Sequence, residues 1–258
     1  MELIDSHCHL YLSDFAEDID EVILRATTAG VGRFYLPAID RGSEAVMLDL
    51  ESRYPGLCYA MQGLHPCSVK GDFALALKHV EYSLSSRNFV AIGETGLDFY
   101  WDMTFEEEQY LAFRQQVEWA LHYDLPVVIH SRESIDQTIA VIREYQKGNL
   151  RGVFHCFNES EDFARQIIDL GFHMGVGGTL TYKKSNLPAV IKNIGLENII
   201  LETDAPYLPP VPFRGKRNES SYLIYIVKKL AEILDLTEEE VAKQTTAHSL
   251  QVFQKNKV

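Results

Sequence analysis

The sequence predicts an α/β fold of the (β/α)8 TIM-barrel type, formed by one domain running from residue 1 to residue 258. Three observations predict it. Short apolar runs alternate with helix-period segments from end to end. Eight such pairs follow one another, each spanning roughly thirty residues or less. The length of 258 residues suits eight strand–helix units, which take about 250.

The first apolar run is Leu3-Ile4-Asp5-Ser6-His7-Cys8-His9. Read as a strand, it turns His7 and His9 to one face and Cys8 to the other. Phe15 to Gly30 has Ile19, Val22, Ile23 and Ala26 at helical spacing, with Gly30 as its stop. Arg33–Ala38 is the second strand, Ser43–Tyr54 a helix, and Leu57–Gln62 the third strand. Phe73–Leu84 is helical, and Phe89–Glu94 is a fourth strand ending at Glu94. Phe105–Tyr123 is the longest helix, with an acidic first turn that suits the helix dipole. The second half repeats the pattern. Its strands are Pro126–His130, Gly152–His155, Phe172–Gly177 and Ile199–Asp204. Its helices are Ser134–Gln146, Glu161–Leu170, Asn186–Ile194, Ser221–Leu234 and Glu238–Phe253.

Composition excludes several classes. No run approaches the ~18 apolar residues of a membrane helix, so no membrane partner is expected. The acidic start lacks the basic and apolar regions of a signal peptide. Cys8, Cys58, Cys67 and Cys156 form no CxxC pair and suit a reducing compartment. A cytoplasmic location is the expectation. The net charge of -13 argues against wrapping long duplex DNA, which requires a basic surface. It leaves room for a local positive site, since bound dications are invisible to that count.

The chemistry-bearing residues fall in one pattern. His7 and His9 end the first strand, and His65 follows the third. Glu94, His130 and His155 end the fourth, fifth and sixth, and Glu202 and Asp204 end the eighth. In a (β/α)8 barrel these ends surround one mouth, so residues scattered over two hundred positions meet in one pocket. Imidazoles and carboxylates gathered there are the donor set of divalent metals. His79, His122, His173 and His248 fall within helices or early in a strand and read as structural or surface groups.

These motifs carry a family resemblance. Asp5-Ser6-His7-Cys8-His9, Gly63-Leu64-His65-Pro66, Ile92-Gly93-Glu94-Thr95-Gly96-Leu97-Asp98, Pro126-Val127-Val128-Ile129-His130-Ser131-Arg132, His155-Cys156-Phe157 and Leu201-Glu202-Thr203-Asp204-Ala205-Pro206-Tyr207 resemble the TatD family of metal-dependent hydrolases. Thr95, Phe213 and His248 depart from its usual residues, and none is a ligand position. The stretch from Val176 to Tyr182 resembles a bacterial branch of the family with a poorly defined substrate. The resemblance implies two divalent ions of Mg, Mn, Zn, Ni or Co type. His7, His9 and Asp204 would hold one ion, His130 and His155 the other, and Glu94 would bridge. Asp204 would orient or deprotonate the attacking water, with Glu94 part of the catalytic centre. His65 and Glu202 would contact substrate or hold a further ion.

The implied activity is deoxyribonuclease cleavage of phosphodiester bonds, from single-stranded or frayed ends. A nucleic acid is thus the expected partner, and no stable protein partner is expected. The alternative is an ester or amide hydrolase on the same site, such as an aminoacyl-tRNA deacylase, since fold alone does not select the chemistry. A metal-stabilised binding protein is a third class, disfavoured by the complete ligand set. Around this centre, Pro206 to Arg217 reads as a stiff, aromatic, basic lid. Arg214, Lys216 and Arg217 are expected to meet phosphates, with Tyr207 or Phe213 stacking a base. Arg132 is a weaker candidate of the same kind. Gly175-Val176-Gly177-Gly178 matches neither a P-loop nor a dinucleotide fingerprint and reads as a tight turn.

Overall fold

The structure is a computed structural model that describes residues 1–254. Eight parallel strands alternate with helices. They are β1 (Leu3–Asp5), β2 (Val31–Leu36), β3 (Cys58–Ala60), β4 (Ile92–Asp98), β5 (Val127–Arg132), β6 (Gly152–Phe154), β7 (His173–Val176) and β8 (Ile199–Leu201). The helices are α1 (Ile19–Thr28), α2 (Arg41–Arg53), α3 (Phe73–Ser86), α4 (Glu106–Tyr123), α5 (Ile135–Tyr145), α6 (Glu161–Asp169), α7 (Leu187–Ile194), α8 (Leu223–Leu234) and α9 (Glu238–Phe253).

The strands pair in sequence order, β1-β2-β3 and β4 through β8. Backbone bonds bridge both remaining seams. Gln62 N–H donates to Ala91 O, and Gly93 N–H returns the bond to Gln62 O. At the other seam Ser6 N–H donates to Leu201 O, Asp204 N–H to His7 O, and His9 N–H to Ala205 O. The result is the (β/α)8 architecture that the alternation predicts.

Two apolar layers hold it. The larger lies between strands and helices and takes the stripes of α1, α4 and α8, with Phe34, Phe113, Phe154 and Phe172 fully buried. The smaller fills the barrel axis. Ile4, Tyr35, Met61, Ala91, Val128, Val153 and Ile200 point inward, one from each of seven staves, and Val252 and Phe253 of α9 close the bottom. Phe253 stacks on Tyr35 with centroids 4.2 Å apart. The plug leaves only the upper end of the barrel free for polar groups. With a side-chain period of two, Val128 places His130 inward one step higher, Val153 places His155, and Ile200 places Glu202.

Several strand boundaries differ from expectation in ways that bear on the site, and because β6 stops at Phe154 and β8 at Leu201, His155, Glu202 and Asp204 lie just beyond their strands. β1 stops at Asp5, so His7 and His9 lie beyond the strand rather than on it. Bonds to both neighbours fix that tail, with Cys8 N–H on Tyr35 O and the Ser6 and His9 N–H groups on the β8 side. β4 begins later than expected and runs past Glu94 to Asp98, pairing Gly96 with His130 and Asp98 with Arg132. A glycine allows this. Gly96 has φ +141°, and a Cβ there would lie 2.0 Å from His130 O.

Candidate metal centre

Glu94 is the hub of the upper barrel. Its Oε2 lies 3.2 Å from His7 Nε2 and 3.7 Å from His9 Nε2. Its Oε1 lies 2.9 Å from both His130 Nδ1 and His155 Nε2, and 3.4 Å from His65 Nε2. Asp204 Oδ1 completes the first side, 3.7 Å from His7 Nε2 and 3.6 Å from His9 Nε2. One carboxylate therefore faces two groups of imidazoles, one with each oxygen. The His7 ring stacks on His155 at 3.9 Å and joins the two halves.

Hydrogen bonds behind the rings set which nitrogen is free. Tyr11 O–H donates to Pro37 O at 2.6 Å, so its oxygen accepts from His9 Nδ1–H at 2.9 Å. His9 Nε2 is then a bare lone pair directed at the cluster. On β5, His130 is held between two carboxylates, with Nε2 2.8 Å from Asp98 Oδ2 and Nδ1 2.9 Å from Glu94 Oε1. His65 is the opposite case to His9. Its Nδ1 accepts Cys67 N–H at 3.0 Å, so in the neutral ring Nε2 carries the proton. His65 thus offers the centre a hydrogen-bond donor instead of a lone pair.

Glu202 stands behind His155. Its Oε1 accepts Cys156 N–H at 2.6 Å and lies 3.5 Å from His155 Nδ1. The other oxygen is buried without a hydrogen-bond partner, against Gly175. A Cβ at Gly175 would come within 1.9 Å of it, so glycine makes the space for this carboxylate. Asp5 plays a similar fastening part below His7. It accepts Thr203 N–H at 3.0 Å and Thr203 Oγ1–H at 2.6 Å, tying the β1 tail to the β8 tail. At the top of β8, Asp204 holds the left-handed conformation at φ +56° and so turns its carboxylate back over the mouth.

Charge follows from burial. Burial pushes the Asp204 carboxyl up to about 7, only partly offset by His155 and His7. Burial acts the same way on Glu94, but His155, His65, His7 and His130 outweigh it and hold its carboxyl well below the usual range. Asp98 is likewise buried, yet the His130 bond and the Trp101 and Tyr100 N–H groups bring it down to about 2. Imidazole nitrogens on both sides of an anionic carboxylate are a donor set for divalent cations. The spacing fits as well. His7 Nε2 and His9 Nε2 are 3.3 Å apart, close to the ~3.4 Å expected for two nitrogens in tetrahedral coordination at ~2.1 Å from one zinc. Among the described residues three overlapping groups keep their donor atoms within 4.8 Å of one another, His7-His9-Glu94, His7-His155-Asp204 and His65-Glu94-His130, the last of them through the protonated His65.

The centre opens into a cavity of about 490 Å³. His9, His65, Glu94, His130, His155 and Asp204 line its floor. Arg132 and Tyr207, both expected to face substrate, lie on its walls. Other expectations meet different placements. Glu202 is buried behind His155 and does not line the cavity. Arg214 is exposed over the Tyr182 ring, 4.4 Å from its centroid, away from the cavity lining. Arg217 makes a two-pronged ion pair with Asp18 and also donates to Asp14 O. Phe213 stacks on Tyr222 at 4.0 Å. The basic lid is thus largely fastened to the barrel's outer layer. Asp98, Tyr11 and Trp101 are the neighbours of the site that motif reading missed.

Comparison with known proteins gives this geometry a family. The model of the family described as TatD related DNase matches residues 4–254. The chain belongs to the TatD family. TatD relatives run its full length. The uncharacterized metal-dependent hydrolase YabD of Bacillus subtilis is 34% identical over 98% of this chain and 100% of its own. YjjV of Escherichia coli, likewise described as an uncharacterized metal-dependent hydrolase, is 34% identical over 97% of each chain. The crystal structure of YjjV, a TatD homologue, superposes with a TM-score of 0.90 over 97% of both chains at 32% identity. A TatD-family hydrolase from Entamoeba histolytica, 24% identical with a TM-score of 0.85, shares the fold. This TatD protein is a metal-dependent hydrolase.

Proposed function

We propose that this TatD hydrolase is a deoxyribonuclease that cleaves phosphodiester bonds in single-stranded or frayed DNA with two divalent ions. The carrying observation is the Glu94 carboxylate, with Oε2 toward His7 and His9 and Oε1 toward His130 and His155. That division suits a carboxylate shared by two cations, with Asp204 on the His7–His9 side. Divalent ions held there would supply an activated water and neutralise charge on a phosphodiester. The DNase in the family's description supports the choice of substrate.

The chain's own residues divide the remaining work. Asp204 lines the mouth with its Oδ1 3.7 Å from His7 Nε2 and 3.6 Å from His9 Nε2. It accepts the proton of the attacking water as the water oxygen bonds to phosphorus and the opposite P–O bond breaks. His65 Nε2–H donates to a non-bridging phosphoryl oxygen, where negative charge grows. Arg132, on the cavity wall, pairs with a neighbouring phosphate. Glu202 accepts the Cys156 N–H and lies 3.5 Å behind the His155 ring, which makes it a positioning residue. The cavity measures about 490 Å³ and the chain carries a net charge of -13, which favours short contacts with one flexible strand over a duplex.

The test is a time course on an end-labelled single-stranded oligonucleotide with Mg²⁺ or Mn²⁺, repeated with a chelator and with Glu94→Gln. Cleavage abolished by both supports the reading. Absence of cleavage by fully metal-loaded protein would sink it and shift the substrate to another ester or amide.

A further inference from the structure

The segment from 99 to 105, between β4 and α4, raises two aromatic rings beside the cavity. Trp101 is 67% exposed and Tyr100 is 48% exposed. Water-exposed rings of this size forgo the burial that usually stabilises them. Their backbone is nevertheless firmly held. Asp98 Oδ1 accepts the N–H groups of both Tyr100 and Trp101 at 3.0 Å. The buried Gln109 bonds the same turn, accepting Asp98 N–H and donating to Asp98 O. Asp98 uses its other oxygen to orient His130. A single carboxylate therefore sets both a candidate metal ligand and the height of the aromatic pair.

Arg132 completes the group. Its guanidinium lies 3.8 Å from the Tyr100 centroid and 5.3 Å from the Trp101 centroid, and it has no carboxylate partner among the described residues. The two rings meet edge to face, 4.9 Å apart. Trp101 and Arg132 both line the cavity that holds Glu94 and His130. A flat π surface beside an unpaired guanidinium, next to a candidate phosphodiester site, matches one nucleotide. The base would stack on the ring and its phosphate would meet the arginine.

We propose that Trp101, braced by Tyr100 and Arg132, is the stacking wall for an unpaired nucleobase next to the scissile phosphodiester. The proposal rests on the nuclease reading and adds a specificity-determining residue to it. A base inside a duplex has both faces covered by its neighbours, whereas stacking here needs a free face. The wall thus selects single strands and frayed ends by geometry and tolerates any base, because every base has a π face.

The chain has two tryptophans, and the other, Trp119, is 7% exposed on α4. This makes Trp101 emission a direct probe. The Mg²⁺-loaded protein is titrated with a cleavage-resistant, phosphorothioate-linked single-stranded pentanucleotide. The same strand is then used with an abasic residue at each position in turn. Expected are quenching of wild-type emission and a rise in Kd of about 5- to 100-fold for abasic substitution at one position. Trp101→Ala removes that positional penalty, and Trp101→Phe restores part of it while losing the quenching. Equal Kd for intact and abasic strands, or the same positional penalty in Trp101→Ala, would overturn the stacking wall while leaving cleavage intact. If the wild-type protein neither binds nor cleaves any oligonucleotide, the nuclease reading and the stacking wall fall together.

Discussion

His130 Nε2 and Asp98 Oδ2 lie 2.8 Å apart, and the ring is thereby held with Nδ1 2.9 Å from Glu94 Oε1. A ligand ring fixed this way is both correctly oriented and more basic. Asp98→Asn keeps the shape but loses the charge that favours Nε2–H. Metal affinity is expected to fall about 10- to 100-fold, with the fold retained. Isothermal titration with Mn²⁺ checks this. An unchanged affinity would mean that Asp98 serves only the loop that carries Trp101.

Glu94 Oε1 touches His130 and His155 while Oε2 touches His7 and His9, so one substitution reaches both halves of the centre. Glu94→Gln is expected to lower phosphodiesterase activity by more than ~100-fold and to weaken binding of both ions. Metal content after dialysis gives a readout independent of turnover. Two ions per chain retained by the variant would remove Glu94 from the bridging role.

The sequence makes the strand ends legible because a parallel barrel collects them at one mouth, whatever their separation along the chain. His130, His155 and Asp204 are found by that rule alone. The supporting residues are harder to see for particular reasons. Asp98 lies on β4 four residues past Glu94, where the sequence ends the fourth strand, and the continuation runs through Gly96. Its φ of +141° and its closeness to His130 O are tertiary facts. Tyr11 carries no ligand atom, and its orienting of His9 depends on Pro37 O, which only the fold brings near. The lid misleads in the other direction. Arg217 has a charge suited to phosphate, but Asp18, 199 residues earlier, takes it first.

Position separates two further arginines. Arg132 and Arg214 are both exposed over a tyrosine ring without a carboxylate partner among the described residues, but Arg132 lines the cavity and Arg214 does not. Arg132→Ala is expected to raise KM for a single-stranded oligonucleotide about 10-fold, in line with loss of a charge-assisted contact. Arg214→Ala is expected to change it less than ~3-fold. Steady-state kinetics on one labelled strand decides between them. The reverse ranking would return the phosphate contact to the lid.

Gly175 makes the room for Glu202, whose Oε2 would lie 1.9 Å from any Cβ at that position. Gly175→Ala must displace the carboxylate that backs His155. The expected cost is about 1–3 kcal/mol of stability, read as a lower urea midpoint, together with weaker metal binding. A variant with wild-type midpoint and affinity would show that Glu202 can move freely, and its positioning role would lapse.

Far from the mouth, His173 opens β7 with its ring 5.7 Å from that of His248 on α9. Burial, and then the nearby His248, bring His173 down from 6.5 to about 4. The neutral ring is therefore the form the fold favours. Between these two values the unfolded chain takes up a proton that the folded chain does not. Stability from this group is complete above about 6.5 and is lost as pH falls toward about 4. The full loss is up to about 3 kcal/mol. His173→Phe removes the titration. Urea midpoints at pH 7.5 and pH 5 are expected to differ less in the variant than in the wild type. An equal acid loss in both would assign it to the carboxylates and imidazoles of the upper barrel.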